Sequence, residues 1–213
     1  MSSQFHLTQP LIESPRSCFL FPCWLAGPMA AIKNEQMNRF AVETLGVQPE
    51  DQVLEIGFGH GHAIRLVAES AHKGLVAGID PSNAMVKHAA KQNRELIKAG
   101  RVELWQGSVS NIPYEYARFN KILAVDNYQH WPHAEFNLGE IQRVLRPGGL
   151  LALCLRMQRP LALASGLTRD EVEEAAGLVR WVGFRDVQII YSDRHNGQRG
   201  IQKDGAACII ARR

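Results

Sequence analysis

The chain has 213 residues, 46% hydrophobic and 21% charged, with 24 basic and 21 acidic side chains giving a formal net charge of +3. That length suits one well-buried domain with a modest extension, and the composition excludes a disordered or fibrous chain. Like charges form no long run, which argues against a surface for nucleic acid or another polyanion; Arg156 with Arg159 and the terminal Arg212-Arg213 read as solvated surface.

Residues 1 to about 17 mix Ser, Gln and Pro without periodicity and are expected to form a loose arm or a lid that orders on ligand. The most apolar stretch, Cys18 to Ile32, is too short for a membrane span and is interrupted by Pro22, Gly27 and Pro28. Only Arg16 could serve as a basic leader, so membrane insertion and export are not expected and a cytoplasmic location is. Pro28 suits a first helical turn, and Met29, Ile32, Phe40, Ala41 and Leu45 recur near helical spacing until Gly46, which predicts a helix ahead of the core. Residues 1–48 are therefore expected to cap the substrate side of a core spanning 49–213. Phe21 and Trp24 either line an acceptor pocket or pack this helix onto the core.

From Asp51 onward, short apolar segments alternate with amphipathic ones, the pattern of β-α-β units around a mainly parallel sheet. The strands read as Gln52–Ile56, Leu75–Ile79, Val102–Gln106, Lys121–Val125, Leu150–Leu155, Val187–Tyr191 and Ala206–Ala211. Helices fit between them at His62–Ser70, Asn83–Ala99, Ala134–Leu145 and Arg169–Val182. Ser192–Gly205 is polar and lacks a helical pattern, so the last two strands should pair antiparallel, because a parallel crossover usually includes a helix. Cys18, Cys23, Cys154 and Cys208 lack the spacing of a zinc site or a disulfide framework. Buried free thiols in a reducing compartment, and no metal, are expected. The alternative is a thiol site for an arsenite-type methyl acceptor, since Cys154 and Cys208 fall on strands expected to be neighbours.

In Val53-Leu54-Glu55-Ile56-Gly57-Phe58-Gly59-His60-Gly61, an apolar strand runs into alternating glycines and then a helix. Glycines there permit a tight turn and close approach of a ligand, and the following helix offers N–H groups to an anion. A dinucleotide loop needs G-x-G-x-x-G/A; here the third glycine, Gly61, comes one position early, and reading from Gly59 places Ile64 at the third position. About twenty residues on, Gly78-Ile79-Asp80 sets an acid at a strand end, where it can accept both hydroxyls of a ribose or merely cap a helix.

The sequence resembles the class I S-adenosylmethionine-dependent methyltransferases, and among them small-molecule enzymes of the kind that methylate quinone precursors. Four segments carry the resemblance in order: Leu54–Gly61, Gly78–Asp80, Val102–Pro113, and Ile141–Leu150 with its Arg146-Pro147-Gly148-Gly149. The resemblance implies a Rossmann-like α/β fold, with a seven-stranded, mostly parallel sheet ending in an antiparallel hairpin and preceded by a helical extension. It also implies S-adenosyl-L-methionine as cofactor. Glu55, Gly57, Gly59 and Gly61 would surround its methionine part and Asp80 its ribose, with Pro81, Ser82 and Met85 near ribose or adenine. Gly107, Ser108 and Val109 match the adenine segment, although many relatives have Asp in place of Ser108.

Asp126-Asn127-Tyr128-Gln129-His130-Trp131-Pro132 falls where such enzymes bring sulfonium and acceptor together. His130 or Asp126 is the candidate general base, needed only for an acceptor protonated at neutral pH, and Asp126 also borders the cofactor. A histidine beside Trp131 can equally close a pocket wall. Tyr128 and Trp131 join Phe21 and Trp24 as candidate substrate contacts, whereas His60, His62, His133 and His195 fit loop or helix-cap roles. The expected activity is methyl transfer to a small molecule with neither metal nor nucleic acid as partner; the oligomeric state is open, a homodimer included. The alternatives are a non-catalytic S-adenosylmethionine-binding protein and a dinucleotide-dependent oxidoreductase.

Overall fold

A computed structural model describes residues 35–158, 166–192 and 205–213. Helix α1 covers residues 35–45. It is followed by β1 (Gln52–Ile56), α2 (His62–Ser70), β2 (Leu75–Asp80), α3 (Asn83–Gln92), α4 (Arg94–Lys98), β3 (Val102–Gln106), β4 (Phe119–Val125), α5 (Ala134–Val144), β5 (Leu145–Arg156), α6 (Arg169–Trp181), β6 (Arg185–Tyr191) and β7 (Ala206–Arg212). The sheet runs β3-β2-β1-β4-β5-β7-β6. Strands β1 to β5 pair in parallel, and β7 lies antiparallel between β5 and β6. This is the expected Rossmann-like architecture, and the direction of winding reverses between β1 and β4. The carboxyl ends of those two strands therefore open the crevice in which such sheets bind ligands.

The two faces of the sheet follow the alternation of its strands. Leu54 and Ile56 of β1, Ile122 and Ala124 of β4, and Leu151, Leu153 and Leu155 of β5 join a core under α5 and α6. Val53, Leu123, Ala152 and Cys154 point the other way, into a core with Met37, Ala41, Val42 and Leu45 of α1 and Ala63, Ile64 and Val67 of α2. Glu55 falls on this second face by the same alternation, beneath α1 and α2.

Beyond shifts of one or two residues at several strand and helix ends, three features depart from the pattern of the sequence. The helix expected over Asn83–Ala99 breaks at Asn93, which is buried and directs its amide to the carbonyls of Gly61 and Ala89. That side chain ties the helix to the glycine loop, a tertiary contact with no signature in helical periodicity. Strand β5 begins at Leu145, opposite Phe119. Arg146-Pro147-Gly148-Gly149 then forms an irregularity, with Gly148 at φ 77, before the ladder resumes at Leu150 opposite Lys121. Finally, Cys154 and Cys208 are not free thiols: the antiparallel register of β5 and β7 sets them directly opposite, with Cα atoms 4.1 Å apart, and they form a disulfide. Their separation of 54 residues hides a pairing that only strand order creates. Phe21, Trp24, His195, Cys18 and Cys23 lie outside the described residues.

A buried cation fixes α1. Lys121 Nζ donates to the carbonyls of Leu45 and Gly46, which close the helix, and lies 3.2 Å from the Asp51 carboxylate. Lys121→Met should lower the free energy of unfolding by about 3–5 kcal/mol, since it leaves the largely buried Asp51 carboxylate without its cation, held only by Gln48 N. Urea denaturation measures this, and a loss below about 1 kcal/mol would show the pair to be screened like a surface one.

Candidate active site

At the crevice, an open cleft of about 590 Å³ is lined by Met37, Asn38, Glu55, Gly57, Phe58, Gly59, His60, His62, Val125 and Asp126. The cleft brings together Glu55, Gly57, Gly59 and Asp126 of the residues named from sequence, and adds two from α1 and two histidines from the glycine loop and α2.

The loop is built to stay open. Gly57 has φ 68, and a Cβ there would fall 2.3 Å from the side-chain nitrogen of Asn127; Gly59 has φ 51 and free space where its Cβ would stand. Gly61, at φ 80, is buried outside the cleft, and a Cβ there would meet Ala89 and Asn93. It thus permits close packing of α3 against the loop. Asp80 is buried at the end of β2, where its carboxylate accepts from Gly59 N and Ser82 N, each at 2.9 Å. The helix cap is Ser82, whose hydroxyl accepts from Met85 N. Asp80 therefore braces the loop and retains lone pairs for hydroxyl donors. Pro81, Ser82 and Met85 follow it, and Gly107 N donates to Asp80 O, which brings Gly107, Ser108 and Val109 to the same end of the sheet. Ser108 is exposed, its hydroxyl accepts from Ser110 N, and Val109 is buried.

Glu55 is only 2% exposed, and its Oε2 has no hydrogen-bond partner. Burial, reinforced by the charge of Asp80, pushes its carboxyl well above the usual range. Such a group suits a cationic ligand that can reach it. The residues present fit the implied cofactor: an acceptor for its ammonium, glycines for close approach, and a buried carboxylate beside the loop for its ribose.

Beyond β4 the chain turns sharply. Asp126 holds φ 54, left-handed backbone that Asp tolerates better than most side chains and that its surroundings fix. Here the imposed contacts are Arg156, which donates to Asp126 Oδ2 through Nε at 2.9 Å, and Cys154 O, which accepts from Asp126 N at 2.8 Å. Asn127 donates to Ile56 O and leaves its own Oδ1 buried without a partner. Tyr128–His130 form a single 3-10 turn. Tyr128 and Trp131 meet edge to face, 5.5 Å between centroids, and pack on the main core. His130 is exposed and lies outside the cleft lining. Asn137 anchors this turn to the preceding loop, donating to Pro132 O and accepting from the Ser110 hydroxyl.

Met37, Asn38 and Asn127 were not among the residues singled out from sequence. Asn127 had a readable signal, a polar residue just past a strand beside the glycine loop. Met37 and Asn38 had none, because only the docking of α1 brings them to the cleft.

Residues 53–149 match the family model described as a methyltransferase domain. A putative methyltransferase of Bacillus subtilis, YrhH, is 31% identical over 72% of this chain and 79% of its own length. The erythromycin 3''-O-methyltransferase of Saccharopolyspora erythraea is 26% identical over 73% of this chain and 58% of its own. The crystal structure of a SAM-dependent methyltransferase from Aquifex aeolicus superposes with a TM-score of 0.66 at 19% identity, covering 82% of this chain and 88% of the other. The chain belongs to the methyltransferase family and has the fold of its S-adenosylmethionine-dependent members.

Proposed function

We propose that this protein binds S-adenosyl-L-methionine in the glycine-lined cleft and transfers its methyl group to a small-molecule acceptor. The observation that carries the reading is Glu55: a buried, unpartnered carboxylate facing an open cleft whose glycines admit a ligand. One relative whose name states an acceptor, the erythromycin enzyme, supports a small molecule. Among the described residues no helix is long and apolar enough to cross a membrane.

When bound, the cofactor supplies a methyl already activated on a positive sulfur. The chain's task is alignment and exclusion of water, and orientation alone can contribute about 7–11 kcal/mol. Glu55 would hold the ammonium, Asp80 the ribose, and the Gly107–Val109 segment would border the adenine. Asp126, fixed by Arg156, stands at the reacting end, with Tyr128 and Trp131 as the apolar side for the acceptor. For a hydroxyl acceptor, the proton released as the oxygen takes the methyl group would have to be accepted by a base on this chain. His130, exposed on the turn that follows Asp126, is the candidate.

The test is release of S-adenosylhomocysteine from S-adenosylmethionine with a panel of small phenols, alcohols and amines, quinone-precursor diols first. Acceptor-dependent turnover supports the reading. Tight cofactor binding without turnover on any acceptor would favour a non-catalytic binder. With an active acceptor in hand, His130→Ala should slow transfer about 10²–10⁴-fold while leaving S-adenosylhomocysteine affinity intact. An unchanged rate would remove His130 from the chemistry.

The state of Glu55 makes a separate prediction. Its raised value in the free fold means that the carboxyl contributes stability below the unfolded-chain value of about 4.3 and loses it as pH rises through the folded value. An ammonium bound beside it favours the ionised form, so binding expels a proton wherever the free group is still protonated. Affinity for S-adenosylhomocysteine should thus climb with pH up to the folded value and flatten above it. Calorimetry in buffers of different ionisation enthalpy should detect proton release in the wild type and none in Glu55→Gln; equal release from both would contradict the role.

A further inference from the structure

Helix α5 holds two separate parts of the site with one row of side chains. Asn137, Glu140 and Arg143 stand three residues apart, so they share one surface of the helix. All three reach the segment that leads from the end of β3 to β4. Asn137 accepts from the Ser110 hydroxyl at 2.8 Å and Glu140 from Ile112 N at 3.2 Å, while Arg143 donates to Ile112 O at 2.9 Å and Tyr114 O at 2.7 Å. Ser110 is tied to the cofactor side of this segment: its N donates to the Ser108 hydroxyl, and Asn111 N donates to Ser108 O. Glu140 and Arg143 pair with each other. Asn137 instead reaches a second loop. It is 1% exposed, and its Nδ2 donates at 2.6 Å to Pro132 O, at the end of the turn that carries Asp126, Tyr128 and Trp131. Moving either loop without the other would leave one end of a buried amide unpaired, which costs more than the hydrogen bond itself contributes.

We propose that Asn137 is a positioning residue that couples the two halves of the site. A nucleoside seated against Gly107–Val109 steadies Ser110, and the Ser110–Asn137–Pro132 bridge passes that order to the turn that presents Tyr128 and Trp131 to the acceptor. The proposal rests on the cleft being an S-adenosylmethionine site. Linkage makes the effect reciprocal: the acceptor binds the cofactor complex more tightly than the free protein, and the acceptor in turn tightens the cofactor. The coupling is about three- to tenfold, the size of one hydrogen bond between neutral groups.

The turn contains its own reporters. His130 N donates to Asn127 O and Trp131 N to Tyr128 O, each at 3.0 Å, so their amide exchange follows opening of the turn. Neither residue lines the cleft, and a ligand bound there slows them only through the protein. Saturating S-adenosylhomocysteine should slow exchange at Asn111 and Ile112 and, in the wild type, at His130 and Trp131 by about three- to tenfold. Ser110 is exposed, so Ser110→Ala keeps the fold. In that variant the first pair should still slow and the second should not. Ser110→Thr retains the hydroxyl and should restore the effect at His130 and Trp131, whereas Asn137→Ala should abolish it. With an active acceptor, Ser110→Ala should raise the acceptor KM by the same factor and change S-adenosylhomocysteine affinity, measured without acceptor, by less. Equal slowing of His130 and Trp131 in wild type and Ser110→Ala, or none in the wild type, would overturn the proposal. No slowing at Asn111 and Ile112, with no binding by calorimetry, would overturn the cofactor assignment and the coupling with it.

Discussion

Asp80→Ala should weaken S-adenosylhomocysteine binding about 100-fold or more. A carboxylate that accepts two ribose hydroxyls contributes two charge-assisted hydrogen bonds, each about 1.5–3 kcal/mol. Asp80 also braces the loop, accepting from Gly59 N and Ser82 N, so its loss frees the loop that shapes the cleft. Asp80→Asn keeps the shape and one acceptor oxygen and should fall between wild type and alanine. It also removes the negative charge that helps raise Glu55, so the pH at which affinity flattens should move down in this variant. Calorimetric titration measures both; affinity unchanged in Asp80→Ala would remove the residue from the site.

The second large effect is expected at Gly57. Alanine there must adopt φ near 68, at a cost of about 1–2 kcal/mol, and its Cβ must displace the Asn127 amide that it would approach to 2.3 Å. Moving Asn127 breaks its hydrogen bond to Ile56 O, about 1 kcal/mol more. Gly57→Ala should therefore lose about 2–3 kcal/mol of stability and bind S-adenosylhomocysteine too weakly to saturate, because the distortion lies between the cleft and the turn that carries Asp126. Gly59→Ala is the control. Its Cβ meets nothing in the free protein, so it should cost only the backbone term in stability while its methyl group enters the ligand's space. Urea unfolding with parallel titration distinguishes them, and equal stability of the two variants would contradict the role given to Asn127.

The residues whose meaning is local were legible in the sequence. The alternating glycines after an apolar strand, an acid at the end of the next strand and the amphipathic helices between them predict a parallel sheet and the place of its crevice. Strands β1 and β3 and helix α2 match their expected bounds residue for residue. The illegible features are those made by distant segments meeting. Asn93 breaks a helix in order to hold the carbonyl of Gly61; Cys154 finds Cys208 only because β7 inserts between β5 and β6; Asn38 reaches the cleft only because Lys121 and the apolar face of α1 dock that helix. Periodicity reports which face of an element is buried, and it carries no record of what the exposed tip of a helix will touch. Gly61 shows the converse: it stands in the motif as a ligand glycine, yet the contact its missing Cβ permits is with Ala89 and Asn93.

The most direct measurement is a crystal structure of the protein with S-adenosylhomocysteine. The account predicts the ligand in the cleft at the ends of β1 and β4, its ammonium at Glu55, its ribose hydroxyls on Asp80 and its sulfur facing Asp126. Density for the ligand elsewhere, or in the cleft with the ribose away from Asp80, would contradict it.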